Sequence, residues 1–439
     1  MNTRRKFLQR TAGLLAANTI LLEAAPEPQV TDHIRFGMIG IGMQGTNLLS
    51  TAISIPGAEC VAASDLYDGR HLHAREITGN PALPVTRRYQ ELLDRKDIDC
   101  IVAAVPDHWH KRVVVDACNA GKDIYCEKPM SHTAEEGFEM VAAAQKNSRI
   151  VEIGSQRVSG VVFGKARELY ASGAIGDVSM VELTLGRNDP TGAWEYPPPP
   201  DLSPQTVDWD TWLNNAPKIP FNAERFARWR CWKEYGTGVG GDLMVHLITG
   251  MLYTLGWNEA PRSASALGAI VRWKDGRNMP DLHAVLFDYH GVPVYVRLTL
   301  GTETPEVTRF MGPKGVLTVA GNEVRVSPQL GIDTRPSYYT SSFPRKMKAD
   351  YAAQWHSIHD AELPHGAIPE DTVYRSAGGP GDDTLHMGNF FSAVKSRKPV
   401  VEDAVFGNHA ALACHMANES YFRKTPVTFD AASHSIKNS

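Results

Sequence analysis

Hydrophobic and polar positions divide the chain into two regimes. From residue 34 to about residue 155, short and nearly continuous apolar runs at 34–39, 58–64, 98–105 and 123–126 alternate with stretches at 46–55, 89–94 and 111–120 that repeat every three to four residues. Runs without polar alternation belong in a sheet covered on both faces, and strand–helix alternation makes that sheet parallel. Gly121 follows the third helical stretch as its stop signal. Beyond residue 156 the pattern changes. Segments 178–185, 264–273, 283–289, 294–300, 308–311 and 316–319 are period-two or apolar, which predicts strands of a second sheet. Helical patterns return at 384–395 and 403–423, with a last short strand at 427–430. The expected fold is a doubly wound parallel α/β domain at 33–155, then an α+β domain at 156–430 with a large, mainly antiparallel open sheet.

One further apolar stretch, at 14–22, falls short of the ~20 residues that cross a bilayer, so it predicts the apolar region of a signal peptide and no membrane span. Ahead of it, Thr3-Arg4-Arg5-Lys6-Phe7-Leu8-Gln9 resembles a twin-arginine export signal, which moves folded proteins. An arginine-rich Sec signal is the alternative, but a nucleotide-binding domain exported unfolded meets little cofactor outside. Residues 1–25 are therefore expected to be a twin-arginine signal cut near Ala24 or Ala25, and the protein to be periplasmic or extracellular.

Composition narrows the function classes. A chain of 439 residues with 43% apolar content buries a large core, enough for two domains. Its net charge of −4 falls to about −7 once the four cations and one acid of residues 1–24 are removed, which excludes nucleic acid as a partner class. Six cysteines contain no CxxC pair and several lie in apolar runs; they are expected to be reduced and inert, as folding before export requires.

The run at 34–39 leads directly into Gly40-Ile41-Gly42-Met43-Gln44-Gly45 and then a helical pattern. A strand, a GxGxxG turn and a helix make a dinucleotide site: the glycines permit a tight turn, close pyrophosphate approach and close packing, and the helix N-terminus favours the phosphates. Asp65 lies twenty residues past Gly45 at the end of the next strand, where an acid accepts bonds from ribose hydroxyls and repels a 2′-phosphate. NAD is expected in preference to NADP, with Arg70 the one residue in reach of a 2′-phosphate. Later strands end at Pro106-Asp107-His108-Trp109-His110 and at Glu127-Lys128-Pro129. Lysine at the carboxyl end of a parallel strand stands in the crevice where such sheets hold ligands. Asp242 and His246 are four apart, on one face of a helix, and an imidazole titrates where a general base is useful. His108 and His110 lack companion acids or cysteines, so no metal is expected. Contact with the nicotinamide half or substrate is their nearer reading, and a structural role for His108 stays open.

This ordered series resembles the Gfo/Idh/MocA oxidoreductases. The likeness continues through Gly154-Ser155-Gln156-Arg157, Trp229-Arg230, Gly240-Gly241-Asp242 with His246, and residues 386–421. It implies a Rossmann domain and a substrate and oligomerisation domain. Lys128 would lie beside nicotinamide and substrate, preceding a proline whose bond is often cis, with His246 as base and Asp242 on a substrate hydroxyl. Cofactor contacts would come from Gly40, Gly42, Met43, Gln44, Gly45, Asp65, Pro106, His108, His110, Glu127 and Lys128, and substrate contacts from Arg157, Trp229 and Arg230. The implied protein is a homodimer or tetramer that oxidises a secondary hydroxyl of a sugar, inositol or glycoside with tightly held nicotinamide. A redox-neutral glycoside hydrolase using bound NAD is the alternative, and a non-catalytic sugar-binding protein a third class.

Two regions are less legible. The Pro- and Trp-rich segment 187–235 serves either specificity or a satellite core, and 322–383 carries no functional signal. His386 reaches the site or serves the core.

Overall fold

The computed structural model describes residues 18–29, 33–331, 333–361 and 370–439. The twin-arginine run at 3–9 lies outside the described residues.

Strands β2 (Ile34–Ile39), β3 (Ala58–Ser64), β4 (Val85–Thr86), β5 (Cys100–Ala103), β6 (Asp123–Glu127) and β7 (Val151–Gly154) form a six-stranded sheet in the order β4-β3-β2-β5-β6-β7. Every pairing in it is parallel. The chain leaves β2 toward β3 on one side and enters β5 on the other, so a crevice opens at the carboxyl ends of β2 and β5. Apolar side chains cover both faces, as the uninterrupted runs require. On one face Phe36 and Met38 pack with Leu48 and Leu49 and with Met387, Phe390 and Phe391. Those last three belong to helix Asp382–Ser396 near the end of the chain, which therefore locks onto the first domain. Each fully buried phenylalanine there is worth about 1.5–3 kcal/mol of transfer free energy. Ala404 and Ala411 of helix Ala404–Arg423 join the core on the other face.

The second sheet has eleven strands. Strands β8 (Met180–Gly186), β9 (Ser263–Ala269), β10 (Leu282–Tyr289), β11 (Val292–Thr299), β12 (Thr304–Gly312), β13 (Gly315–Ala320), β14 (Glu323–Pro328), β15 (Thr372–Ser376), β16 (Val427–Asp430) and β17 (Ser435–Asn438) are joined by β1 (Asn18–Leu22). Their order is β1-β15-β14-β13-β12-β8-β11-β10-β9-β16-β17. Its pairings are antiparallel except β8 with β11 and β1 with β15. Residues 18–22, expected inside the signal's apolar region, are thus an edge strand. The backbone of these five residues pairs in parallel with the edge of β15, a role that apolar periodicity alone does not reveal.

All six cysteines are free and buried. His386 is a core residue: its ring meets Ser159 Oγ at 2.8 Å and the Ile153 carbonyl at 2.9 Å, and burial lowers its pKa to about 4.

Candidate functional site

The glycine loop is shaped by contacts that exclude larger residues. Gly40 has φ of +83°, and a Cβ there would lie 2.4 Å from the Ala104 carbonyl; one on Gly45 would lie 2.0 Å from the Gly40 carbonyl. Helix Met43–Ser54 begins at Gly42 with no side-chain cap, leaving first-turn amides for an anion. These features fit a dinucleotide pyrophosphate.

Asp65 braces this loop. One carboxylate oxygen accepts from the Ile41 amide at 2.7 Å, the other from the Tyr67 amide at 3.0 Å, and Arg70 Nη1 stands 3.3 Å away. The sequence pointed Asp65 at the ribose; in the structure both carboxylate oxygens accept from the main chain. Asp65 and Arg70 nevertheless line a chamber of about 300 Å³ with Gly40, Pro106, Trp109 and Trp212. A second chamber of about 210 Å³ adjoins it, lined by Gly42, Met43, Gln44, Glu127, Lys128, Tyr196, Trp229 and Arg230 among others. Arg70, Ala104, Val105, Pro106 and Trp212 border both, so the two form one groove along the crevice.

At the inner end of the groove, Glu127 is buried and raised in pKa by that burial. It accepts from Gln44 Nε2 at 2.8 Å and from Gln156 Nε2 at 2.9 Å, tying the glycine loop to the end of β6. The Lys128–Pro129 bond is cis. Lys128 Nζ donates to Asp242 Oδ1 at 3.0 Å and to the Asp242 carbonyl at 3.1 Å, across the domain boundary. Arg230 Nε donates to the same Oδ1 at 2.8 Å while its guanidinium lies 4.2 Å from the Trp229 ring centroid. Burial alone would raise Asp242, but Arg230 and Lys128 outweigh it and hold the carboxyl well below the usual range.

Asp242 sits in a π-helical turn, Gly240–Met244, that runs into helix Val245–Leu255. Such turns redirect side chains and recur at functional sites. Glycine permits it: a Cβ on Gly241 would lie 1.7 Å from Thr237 Oγ1 and 3.1 Å from Pro129. The close approach to Pro129 is what brings Lys128 to Asp242. Asp242 bonds to the two cations and is close enough to His246, four residues on, to favour its charged form, while among the described residues His246 Nδ1 is buried without a partner. Burial, followed by Lys128 and Arg157, drives the His246 pKa well below 6.5 and keeps the ring neutral. Arg157 is itself pushed down to about 10 by burial and is paired with Glu306.

His108 and His110 do not line the groove. The His110 nitrogens meet the Pro129 and Val105 carbonyls at 2.7 and 2.9 Å, so this ring staples the loop carrying Lys128. The His108 nitrogens meet the Trp212 and Tyr235 carbonyls at 2.9 and 3.2 Å, and burial lowers its pKa to about 3. With their nitrogens facing carbonyls, the two rings support residues that do reach the groove; the neutral His108 ring has a single N–H and donates to one of its two carbonyls.

Sequence reasoning missed Tyr196, Pro197, Pro199 and Phe226 as groove residues. The Pro- and Trp-rich segment contributes to the core, where Trp209 and Trp212 stack at 4.8 Å, and it also roofs the groove.

Residues 34–155 match the Gfo/Idh/MocA model, described as an oxidoreductase family with an NAD-binding Rossmann fold. Inositol 2-dehydrogenase of Salmonella typhimurium is 33% identical over 150 residues, 34% of this chain and 44% of that protein. Glycosyl hydrolase family 109 protein 1 of a Shewanella species is 30% identical over 178 residues, 34% of this chain and 39% of that protein. The chain thus spans less than half the length of these curated relatives. Levoglucosan dehydrogenase, solved with NADH and levoglucosan, superposes with a TM-score of 0.64 at 19% identity, over 90% of this chain and 99% of that one, which shows a shared fold.

Proposed function

With residues 34–155 an NAD-binding domain of the Gfo/Idh/MocA oxidoreductases, we propose that the protein oxidises a secondary hydroxyl of a sugar, inositol or glycoside. The observation that carries this reading is the Lys128–Asp242 ion pair at the inner end of the groove, with His246 one turn beyond. Gly40, Gly42, Met43, Gln44 and Gly45 would hold the pyrophosphate, with Asp65 and Arg70 at the ribose and Pro106 and Glu127 framing the nicotinamide half. Bound NAD supplies the two-electron acceptor.

The chain's own groups do the rest. His246, kept neutral by burial and by Lys128, takes the proton of the reacting hydroxyl. Lys128 holds that oxygen as negative charge develops on it. Asp242, kept ionised by Arg230, accepts a bond from a neighbouring hydroxyl. Trp229 offers an aromatic wall to a sugar ring, with Arg230 above it.

A second reading, a redox-neutral glycoside hydrolase, is favoured by the similarity to the family 109 protein over the nucleotide-binding region. Residues 3–9 support action outside the cytoplasm, and exposed Leu267 and Leu286, on one face of adjacent strands β9 and β10, support a homo-oligomer. The test is mass spectrometry of products when the purified protein with its copurified cofactor meets free sugars and glycosides. Products lighter by two hydrogens support the dehydrogenase; cleavage without net oxidation supports the hydrolase; an unchanged panel sinks both.

A further inference from the structure

The roof of the groove is fastened to the nucleotide-binding domain more firmly than a specificity loop requires. Residues 195–214 leave the second domain, cross the open edge of the crevice and bond to three separate segments of the first. Next to Asp65, the Asp68 amide donates to the Thr206 carbonyl and the Asp208 amide to the Leu66 carbonyl, both at 3.0 Å, so Tyr67 and Val207 form an antiparallel bridge. Arg87 Nη2 donates to the Gln205 carbonyl at 3.1 Å. At helix Asp107–Asn119, Trp109 Nε1 donates to the Trp212 carbonyl at 2.9 Å, and Asn214 Nδ2 donates to the His108 carbonyl at 2.9 Å. Finally, the Tyr67 hydroxyl bonds to Asp201; burial and then Asp201 raise its pKa to about 12, so it stays a donor.

These bonds matter because both walls line the same cavity. The chamber of about 300 Å³ has Gly40, Asp65 and Pro106 on one side and Asp208, Thr211 and Trp212 on the other. In the adjoining chamber Glu127 and Lys128 face Tyr196, Pro197, Pro199 and Phe226. A dinucleotide filling the groove lies under residues 195–214 along its length, and its exit parts the two walls. The fixed φ of Pro197–Pro200 stiffens the roof against bending at one end, and the stacked Trp209 and Trp212 anchor it in the core at the other.

We propose that residues 195–214 are a clasp that keeps the nicotinamide cofactor bound through successive turnovers, with the Tyr67–Asp201 bond as its latch. The proposal rests on the oxidoreductase reading for the identity of the occupant. With the cofactor resident rather than exchanging, each NADH formed must pass its hydride in place to a carbonyl compound, either the oxidised sugar itself or a second aldose, before the next turnover.

The test measures cofactor exit with no sugar present. The full chain is loaded with NADH, desalted, and chased with excess NAD while the fluorescence of bound NADH is followed. The wild-type protein is expected to retain NADH for many minutes. Tyr67→Phe, which keeps the buried ring and removes the hydroxyl, and Asp201→Asn are each expected to release it at least tenfold faster at an unchanged thermal midpoint. Release from the wild type within seconds overturns the clasp, as does wild-type release from both variants. Protein that takes up no NADH overturns clasp and oxidoreductase together, whereas retained NADH with no sugar oxidised removes only the assigned reaction.

Discussion

Lys128 Nζ lies 3.0 Å from Asp242 Oδ1, so one ion pair joins the end of β6 in the first domain to the π-helical turn of the second. Both side chains are mostly shielded from water, and Arg230 shares the carboxylate. The pair therefore ties the two domains together at the point where chemistry is proposed.

Replacing Lys128 by methionine keeps the aliphatic stem and removes the charge. With Arg230 still holding Asp242, the fold and cofactor binding are expected to survive while kcat/KM falls by roughly 100- to 10,000-fold. Steady-state kinetics beside a bound-NADH fluorescence titration checks this, and near-wild-type kcat/KM would remove Lys128 from the catalytic set.

The neutral state of His246 sets the pH dependence. Because burial, Lys128 and Arg157 hold its pKa well below 6.5, the base remains unprotonated in mild acid, and the acid limb of kcat/KM is expected below pH 6.5. Arg157→Met removes one repelling cation and is expected to move that limb upward. Stability follows the same sign: as pH falls below about 6.5 the unfolded imidazole gains a proton that the folded one refuses, so stability is lost there. His246→Ala should abolish the stability slope due to this residue along with turnover. A pH–rate profile with its acid limb above 7 contradicts the assignment.

Asp65→Ala leaves the Ile41 and Tyr67 amides without their acceptor. A buried donor left unpaired costs about 1–3 kcal/mol. Since the Ile41 amide lies in the glycine loop and Asp65 fixes it there, NAD affinity is expected to drop about 10- to 100-fold in calorimetry. Unaltered affinity would mean that the loop holds its shape unaided.

Gly45→Ala places a Cβ 2.0 Å from the Gly40 carbonyl, where only main chain is available to move. The loop must open, so NADH uptake is expected to be lost even where circular dichroism shows a folded protein. Gly79→Ala is the control: its Cβ meets nothing within 4 Å, and although its positive φ costs stability, NADH uptake should persist.

The sequence by itself determined the parts governed by local patterns. Uninterrupted apolar runs specify buried parallel strands, glycine spacing specifies the phosphate turn, and Glu127-Lys128-Pro129 falls at a strand end because the run before it stops there. Tertiary structure decided everything that depends on two distant segments meeting. Periodicity placed Asp242 and His246 four apart on a helix, while the packing of Gly241 against Thr237 and Pro129 and the bonds of Asp242 to Lys128 and Arg230 are visible only in the fold. His108 and His110 look like site residues in sequence, and the carbonyls that occupy them become visible only in the fold. The pairing of residues 18–22 with the edge of β15 is likewise visible only in the fold. The bonds of segment 195–214 to the first domain were not legible in sequence, because each joins residues far apart in the chain, as Tyr67 to Asp201 and Asn214 to His108.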